Sequence, residues 1–250
     1  NAGKLAGGVL NATVAGNLDN IGGVLEADRA MILNIGGDFN SRSTTQTNEI
    51  QANGLTRIET NLDRKALLHV KGKDGLLSVR ANNINLEGAD VLNDGSGLTL
   101  LNSKNNLNLT SLSVGFDEKL GNSNSYRNES VHEAVVSQVK GKGNVLLTGK
   151  NILSEGAQLE SEAKLMAIAE NDLVLNGAKE SRDFEEFHKT KSGSVAKVTK
   201  TSLDQQQSVT QVGTQVSGKE VVLSAGHDVK AKGIQAIADD NLHVQAGHDV

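Results

Sequence analysis

Two histidine–aspartate pairs are the residues of this sequence whose types and spacing most suggest chemistry. His227-Asp228 and His248-Asp249 lie 21 residues apart. Imidazole nitrogens and carboxylate oxygens are common ligands of zinc and related metals, but such a site needs three or four ligands with matching geometry. Other polar residues take the same position elsewhere in the chain, which is typical of a turn. The ligand count therefore predicts a polar turn and no metal site.

No other arrangement points to catalysis. Ser is plentiful, but the G-x-S-x-G motif of serine hydrolases is absent. Adjacent carboxylates, as in Glu185-Glu186 and Asp239-Asp240, are typical of a solvated surface. A polysaccharide-cleaving enzyme needs a cluster of carboxylates along one groove, and the acidic positions do not recur in that way. We predict no catalytic residue and no cofactor, and we keep a carbohydrate-active enzyme as a minor alternative.

A polar stretch late in the chain contains a concentration of aromatic side chains. Phe184 and Phe187 are two of the four Phe residues in the chain, and basic residues follow at Lys189 and Lys191. Exposed aromatic and basic side chains are frequent in contact surfaces. We predict that these four residues contact a partner, and the alternative is that the two rings pack back onto the rest of the protein.

Composition indicates what kind of structure positions these residues. The chain of 250 residues has no Pro and no Cys, and aromatic residues make up 2%. Proline interrupts central strands, so its absence favours continuous sheet. Few aromatic rings are available to fill an ordinary globular core. The composition therefore favours a narrow interior built from many similar layers of Val, Leu, Ile and Ala.

The charge and hydropathy of the sequence exclude some classes of partner. The net charge is −5, which argues against nucleic acid, because phosphate binding needs a basic surface. The sequence has no apolar run of about 18 residues, and it therefore predicts no transmembrane helix. It begins with Asn1 and ends at Val250 in the middle of a pattern. We therefore expect it to be a fragment of a larger protein.

The sequence contains an internal repeat with a unit of about 21 residues, which is the spacing between the two His–Asp pairs. One copy contains Val221–Val229 and Leu242–Val250, and a second contains Asn144–Ile152 and Leu165–Leu173. A third copy begins near Leu76. Apolar and polar residues alternate within each unit, which indicates strands with one buried face. Such a unit holds about three short strands and buries its apolar face only by stacking on its neighbours, so we predict an all-β solenoid of about seven turns.

Three polar insertions interrupt the repeats of this single repeat region 1–250, at about 41–65, 111–142 and 179–217. Insertions at one place in a repeat emerge on one face of a solenoid. Their second halves alternate, as in Val131–Val139 and Val209–Val216. This alternation predicts antiparallel β-hairpin arms that protrude from the shaft, and the alternative is a set of disordered polar loops.

The ordered recurrence of these marks resembles the haemagglutinin repeat region of two-partner-secreted exoproteins. That family includes filamentous haemagglutinins, large haemolysins and contact-dependent growth-inhibition toxins. The matching marks are Ala225-Gly-His-Asp-Val229, Ala246-Gly-His-Asp-Val250, Gly156-Ala-Gln-Leu159 and the segment Thr210-Gln-Val-Gly213 that follows a polar insertion. The resemblance covers nearly the whole chain, but neither the export domain nor the toxin domain of the family is recognisable in it.

The resemblance implies a right-handed parallel β-helix, secreted to the outer surface of a Gram-negative bacterium through an outer-membrane pore transporter. It also implies contact with a receptor or glycan on a host or target cell. We expect a monomeric, non-enzymatic shaft and adhesion module. The alternative is a segment that engages the target envelope during delivery of a C-terminal toxin.

Overall fold

The chain folds into β-strands and turns in a computed structural model that describes residues 3–250. These residues contain no helix, and hence none long and apolar enough to cross a bilayer. The strands are β1 Lys4–Val14, β2 Leu18–Ile21, β3 Val24–Ile35, β4 Phe39–Arg42, β5 Thr44–Ala52, β6 Leu55–Arg64, β7 Leu67–Val70, β8 Leu76–Ala81, β9 Ile84–Glu87, β10 Asp90–Asn93, β11 Thr99–Ser103, β12 Asn106–Thr110, β13 Leu112–Asn122, β14 Ser125–Val135, β15 Gln138–Gly141, β16 Val145–Gly149, β17 Asn151–Glu155, β18 Gln158–Ser161, β19 Lys164–Ala169, β20 Leu173–Asn176, β21 Ala178–Ser192, β22 Val198–Val212, β23 Gln215–Ala225, β24 Val229–Lys232 and β25 Gln235–Ala246.

Most strands form three parallel stacks. The first stack runs through the N-terminal parts of β1 and β3, then β7, β10, β15 and β18, and then the N-terminal parts of β23 and β25. The second stack joins the C-terminal parts of the same long strands through β8, β11, β16 and β19. The third stack is β2-β4-β9-β12-β17-β20-β24. Each turn of the chain contributes one segment to each stack, an arrangement that fits a parallel β-helix.

The lengths of the turns follow from side chains that bond across neighbouring turns. Where no insertion intervenes, the bonded side chains are separated in sequence by 20, 21 or 23, close to the predicted 21, whereas an amide bond across the second insertion spans 45. Residues 3–250 contain eight segments in each of the first two stacks and seven in the third, against a prediction of about seven turns. The successive partners in the first stack are Lys4, Val24, Leu67, Asp90, Gln138, Gln158, Gln215 and Gln235.

The core lies inside the three stacks and is made mainly of aliphatic side chains, together with the completely buried ring of Phe39, with one layer of side chains per turn. Leu77, Leu101, Leu147 and Ala167 are completely buried at neighbouring places in the second stack. The alternation within the repeat predicts inward side chains at Leu146, Ile152, Leu165, Leu173, Leu223, Val229, Leu242 and Val244. Of these, the structure buries Ile152, Leu165, Leu173, Leu223 and Val229. Period-2 alternation places these side chains inside, because residues two apart share one face of a strand.

Leu146 was assigned to the core by the repeat, and this assignment is wrong. Val145 and Leu147 are buried, and Leu146 between them is half-exposed on the outer face. The run Val-Leu-Leu fits either phase of the alternation. Register with Thr99 and Leu101 of the preceding turn decides the phase, because Val145 and Leu147 lie directly opposite these two buried residues.

Leu242 and Val244 were predicted to point inward, and their register confirms this direction, although both side chains are exposed. Both lie on the inward face by register, since Leu242 is opposite Val221 and Val244 is opposite Leu223. Their strand, β25, pairs with β23 and with no other strand of residues 3–250. The repeat therefore predicts the direction in which these side chains point, whereas their burial requires a further layer on the other side of β25.

A buried hydroxyl lies at the root of each insertion. The Ser43 hydroxyl accepts a hydrogen bond from the Ala66 N–H, and the Ser137 hydroxyl is 2.8 Å from the Thr110 carbonyl oxygen. The Thr214 hydroxyl donates to the carbonyl of the last residue of β20 at 2.7 Å. All three residues are fully buried or nearly so. They satisfy backbone groups where the chain leaves the stacks, and so hold each insertion at a defined position.

Candidate functional site

The three insertions form one antiparallel sheet of six strands, in the order β22-β21-β14-β13-β6-β5. We call it the insertion sheet. Each insertion is a pair of antiparallel strands, and neighbouring insertions also pair through β6–β13 and β14–β21. The predicted ranges 111–142 and 179–217 extend past these pairs into β15 and the start of β23, whose residues pair within the stacks.

Local sequence explains why the insertions fold back on themselves. The β5–β6 pair turns at Asn53-Gly54, where both residues have positive φ, 49° and 82°. Asn-Gly is the preferred pair for a two-residue hairpin turn, because both positions require φ above zero. Thr and β-branched residues alternate along the flanking strands, as in Thr45, Thr47 and Thr60. The sequence thus favours the first hairpin locally.

One face of the insertion sheet has a charge network at its centre. The Glu118 carboxylate accepts hydrogen bonds from Arg57 at 3.0 Å and from Arg127 at 2.9 Å. The Arg57 guanidinium lies 3.9 Å above the centre of the Phe116 ring, a cation–π contact. These residues come from β6, β13 and β14, so the network links the first insertion to the second. The two arginines hold the pKa of Glu118 below its ordinary value.

Glu118→Gln should lower the free energy of unfolding of the insertion sheet by about 1 kcal/mol at neutral pH. Because the folded pKa of Glu118 is lowered from 4.5, its contribution is present above pH 4.5 and is lost as the pH falls through the folded pKa. The difference between variant and wild type should therefore shrink in acid. Tyr126 is the single Tyr of a chain without Trp, and its fluorescence in urea titrations reports on this sheet. Glu49→Gln, on the other face, is the matched control. If Glu118→Gln lost the same free energy of unfolding at all pH values, the ion-pair account would be contradicted.

The opposite face of the insertion sheet has an aromatic pair. The rings of Tyr126 on β14 and Phe187 on β21 stack with centroids 5.2 Å apart. A hydrogen bond to Glu185 raises the pKa of Tyr126. The pair joins the second insertion to the third, since its members are cross-strand partners. Aromatic pairs of this kind contribute beyond the area they bury.

The predicted contact residues are separated by the sheet. Phe184 lies opposite Glu129 and Phe187 lies opposite Tyr126, and these two rows are an odd number of positions apart, so the rings point to opposite faces. Both are half-buried within the insertion sheet rather than packed on the stacks. Lys189 and Lys191 are exposed on the outer half of β21. Phe187, Lys189 and Lys191 thus share one face of β21, because they are two positions apart, and Phe184 lies on the other face, so the four residues do not form one patch.

The concave regions on the insertion sheet include one between the first and second hairpins and one between the second and third hairpins. The larger, of about 750 Å³, lies at the tips of the first two hairpins, and the second, of about 450 Å³, follows the second and third hairpins. Most of the residues that line them are of polar types. Residues that line the larger region include Gln51, Leu55, Lys119, Leu120 and Tyr126, and residues that line the second include Asp117, Asn128, Asp183, Phe184 and Gln205.

The carboxylate pairs do not form an acid–base site. Glu185 and Glu186 point to opposite faces of the insertion sheet, because they are consecutive residues of β21. Asp239 and Asp240 are exposed on β25. A glycosidase needs two carboxylates that face each other across one substrate.

The His–Asp pairs lie at a corner of the stacks, just before the strands of the third stack. The imidazole rings of His227 and His248 stack with centroids 5.1 Å apart and planes at 3°. The Asp228 carboxylate lies between them and accepts a hydrogen bond from Lys230 at 2.8 Å. That bond, the nearby His248 and His227 and the Lys230 charge lower the pKa of Asp228 to about 2, against the opposing effect of burial.

Sequence reasoning missed Arg57, Glu118, Arg127 and Tyr126. Alternation along β13 places Phe116 and Glu118 on one face and could have been read from the sequence. Its partner Arg57 could not, because Arg57 belongs to another insertion, 61 residues away.

Comparisons with known proteins agree on one protein family. The family model described as the haemagglutinin repeat matches residues 119–250. The chain is 39% identical over 100 residues, 40% of its length, to the deoxyribonuclease CdiA of Dickeya dadantii, and 29% identical over 123 residues, 49% of its length, to the 16S rRNA endonuclease CdiA of Enterobacter cloacae. It spans 3% and 4% of the lengths of these relatives. No solved structure is significantly similar to it.

Proposed function

Since this chain belongs to the haemagglutinin repeat family, we propose that it is part of the extracellular shaft of a much larger secreted bacterial exoprotein. In this proposal the stacked turns hold distal domains away from the cell, and the insertion sheet contacts a host or neighbouring cell. The observation that carries the proposal is the stack itself: eight segments follow one another without a break in the first stack. At strand spacing this run is roughly 34 Å long.

The proposal includes a right-handed coil. Each segment of a stack connects to the next segment of the same stack through a crossover along the other two, and parallel crossovers are almost always right-handed. It also includes insertions that protrude as joined arms. Support comes from their pairing, because the six strands of the insertion sheet pair with one another and form a sheet separate from the stacks.

The family also supports a location and a route. The proposal places the protein on the outer surface of a Gram-negative bacterium, after export through an outer-membrane pore transporter. The composition agrees with such a route, since a chain without Cys has no disulfides to reduce before export. A monomeric shaft with a receptor or glycan as its partner completes the proposal.

The alternative is engagement of the target envelope during delivery of a C-terminal toxin. It is favoured by the names of the two CdiA relatives, both of which are nucleases. Their nuclease activity belongs to proteins of which this chain matches a few per cent, and we do not assign it to these residues. The non-enzymatic role rests on the dispersed carboxylates of the insertion sheet and β25.

Binding of the labelled chain to cells tests the proposal. Saturable binding to intact bacterial or epithelial cells, displaced by an excess of unlabelled chain, is the expected result for an adhesive shaft. Binding confined to cells with a permeabilised outer membrane would favour envelope engagement instead. No binding to either would contradict both roles, and release of oligosaccharides from a polysaccharide panel would contradict the non-enzymatic one.

A further inference from the structure

The corner that carries His227 and His248 differs chemically from the same corner in earlier turns. There the side-chain amides of asparagines link one turn to the next, as in the bonds from Asn105 to Asn82 at 2.8 Å and from Asn171 to the preceding turn at 3.0 Å. An amide can continue such a ladder indefinitely, because it both donates and accepts. In the last turns of the chain, carboxylates and imidazoles replace these amides.

Three carboxylates follow one another along this corner. The Asp228 N–H donates to Asp172, and the Asp249 N–H donates to Asp228, both at 3.3 Å, so the three side chains lie one turn apart. Ionised carboxylates have no donor, and like charges at this spacing repel. Lys230 supplies one positive charge against three negative charges. The corner therefore has an excess of negative charge that a cation would neutralise.

The imidazoles converge on the central carboxylate. Nδ1 of His227 lies 3.3 Å from Asp228 Oδ1, and Nδ1 of His248 lies 3.2 Å from the same oxygen. The three ligand atoms lie within 4.8 Å of one another. A backbone hydrogen bond fixes the spacing of the two residues, because the His248 N–H donates to the His227 carbonyl at 2.8 Å.

The three side chains combine access from solvent with a fixed anchor. The imidazoles are 54% and 64% exposed, whereas the Asp228 carboxylate is 10% exposed. Lys230 holds the other oxygen of Asp228, Oδ2, and leaves Oδ1 directed at the rings. Further oxygens are close, since Asp172 Oδ1 is 3.1 Å from His227 Nδ1 and Asp249 Oδ2 is 3.2 Å from His248 Nδ1.

We propose that His227, Asp228 and His248 bind one divalent transition-metal ion of the Zn²⁺ class, with Asp172 or Asp249 as a further oxygen ligand. An ion between the three atoms would lie within roughly 2.4 Å of each, and small movements of the exposed rings would reach the Zn–N distance of about 2.0–2.1 Å. Two imidazole nitrogens favour Zn²⁺, Ni²⁺ or Cu²⁺ over Ca²⁺, which takes oxygen ligands. The neutral rings bind through the Nδ1 lone pair, with their proton on Nε2.

Such an ion would link two successive turns at a corner. Residues 227 and 248 belong to different turns of the chain, so the ion acts as a cross-link between them. Binding to the folded state alone raises stability as the ion concentration rises above the dissociation constant. The site would thus make the stability of this end of the described stack depend on metal.

Titration calorimetry on the untagged 250-residue chain, freed of metal with a chelator, tests the proposal. We expect one Zn²⁺ per chain, weaker binding of Ca²⁺, and a melting temperature that rises with Zn²⁺. The double variant His227→Asn, His248→Asn restores the residue type that this corner uses in earlier turns, so it should fold. It should bind Zn²⁺ at least about tenfold more weakly, since two of three ligands are lost.

His132→Asn and His243→Asn, away from this corner, are the matched controls and should leave the affinity unchanged. Equal Zn²⁺ affinity in the double variant, or a preference for Ca²⁺, would overturn the proposal, as would no binding at millimolar Zn²⁺. If the double variant loses its circular dichroism signal, the Zn²⁺ affinity of Asp228→Asn decides in its place. This variant keeps the shape of the side chain and one hydrogen-bonding oxygen while removing the charge.

Discussion

Leu147→Ala is expected to lower the free energy of unfolding of the stacks by about 2–5 kcal/mol. Leu147 is completely buried between Leu101 and Ala167 in the second stack. Each layer of the core is in contact with the next layers only, and truncation leaves a cavity that the flanking strands cannot close without losing their ladder hydrogen bonds. Urea titration followed by far-ultraviolet circular dichroism measures the loss.

The adjacent residue provides the matched control for this substitution. Leu146→Ala removes the same atoms from the half-exposed outer face, and its expected cost is about 0.5–1 kcal/mol. Similar losses for the two variants would mean that the alternation in β16 does not decide which side chains form the core.

Removal of the outer part of the third insertion is expected to abolish most cell binding and to leave the stacks folded. Glu180 and Thr210 are cross-strand partners, so 181–209 can be replaced by the two-residue turn Asn-Gly. The replacement removes Phe184 and Phe187 but keeps the root hydroxyl of Thr214. Since surface insertions contribute little to a solenoid core, the circular dichroism spectrum should keep its strand signal.

The expected loss of cell binding on this deletion is at least about tenfold, about 1.4 kcal/mol. In the matched control, Asn-Gly replaces 193–197 of the connection between β21 and β22, so that Lys189 and Lys191 remain. This control should bind like the full chain. Full binding by the larger deletion would move the contact surface onto the stacks, and failure of the larger deletion to fold would show that the insertion is required by the core.

Much of the stacked architecture could be predicted from sequence because its causes are local and repeated. The repeat period and the alternating apolar residues are visible in the chain, and the structure confirms the period through side-chain bonds between turns at separations of 20, 21 and 23. The single phase error, at Leu146, arose where three apolar residues in a row fit both phases. Sequence also favoured hairpins in the insertions, whose strands alternate.

The insertion sheet depends on contacts between distant segments. Tyr126 and Phe187 belong to different insertions, and their stacking follows from the number of turns between these insertions. Phe184 and Phe187 looked like one contact patch, but a strand turns consecutive side chains to alternate faces, and their odd separation places them on opposite sides.

The sequence by itself determined the repeat, most of the aliphatic core positions and the family of this protein, because each is encoded by residue types that recur at short spacing. Only the tertiary structure decided which residues meet between insertions or between turns, such as Glu118 with Arg57 and Asp228 with His248. The stacking of turns brings together side chains that are 61 residues apart in the first case and 20 residues apart in the second. No local pattern encodes that register, because it is set by the lengths of all the turns and insertions between the partners.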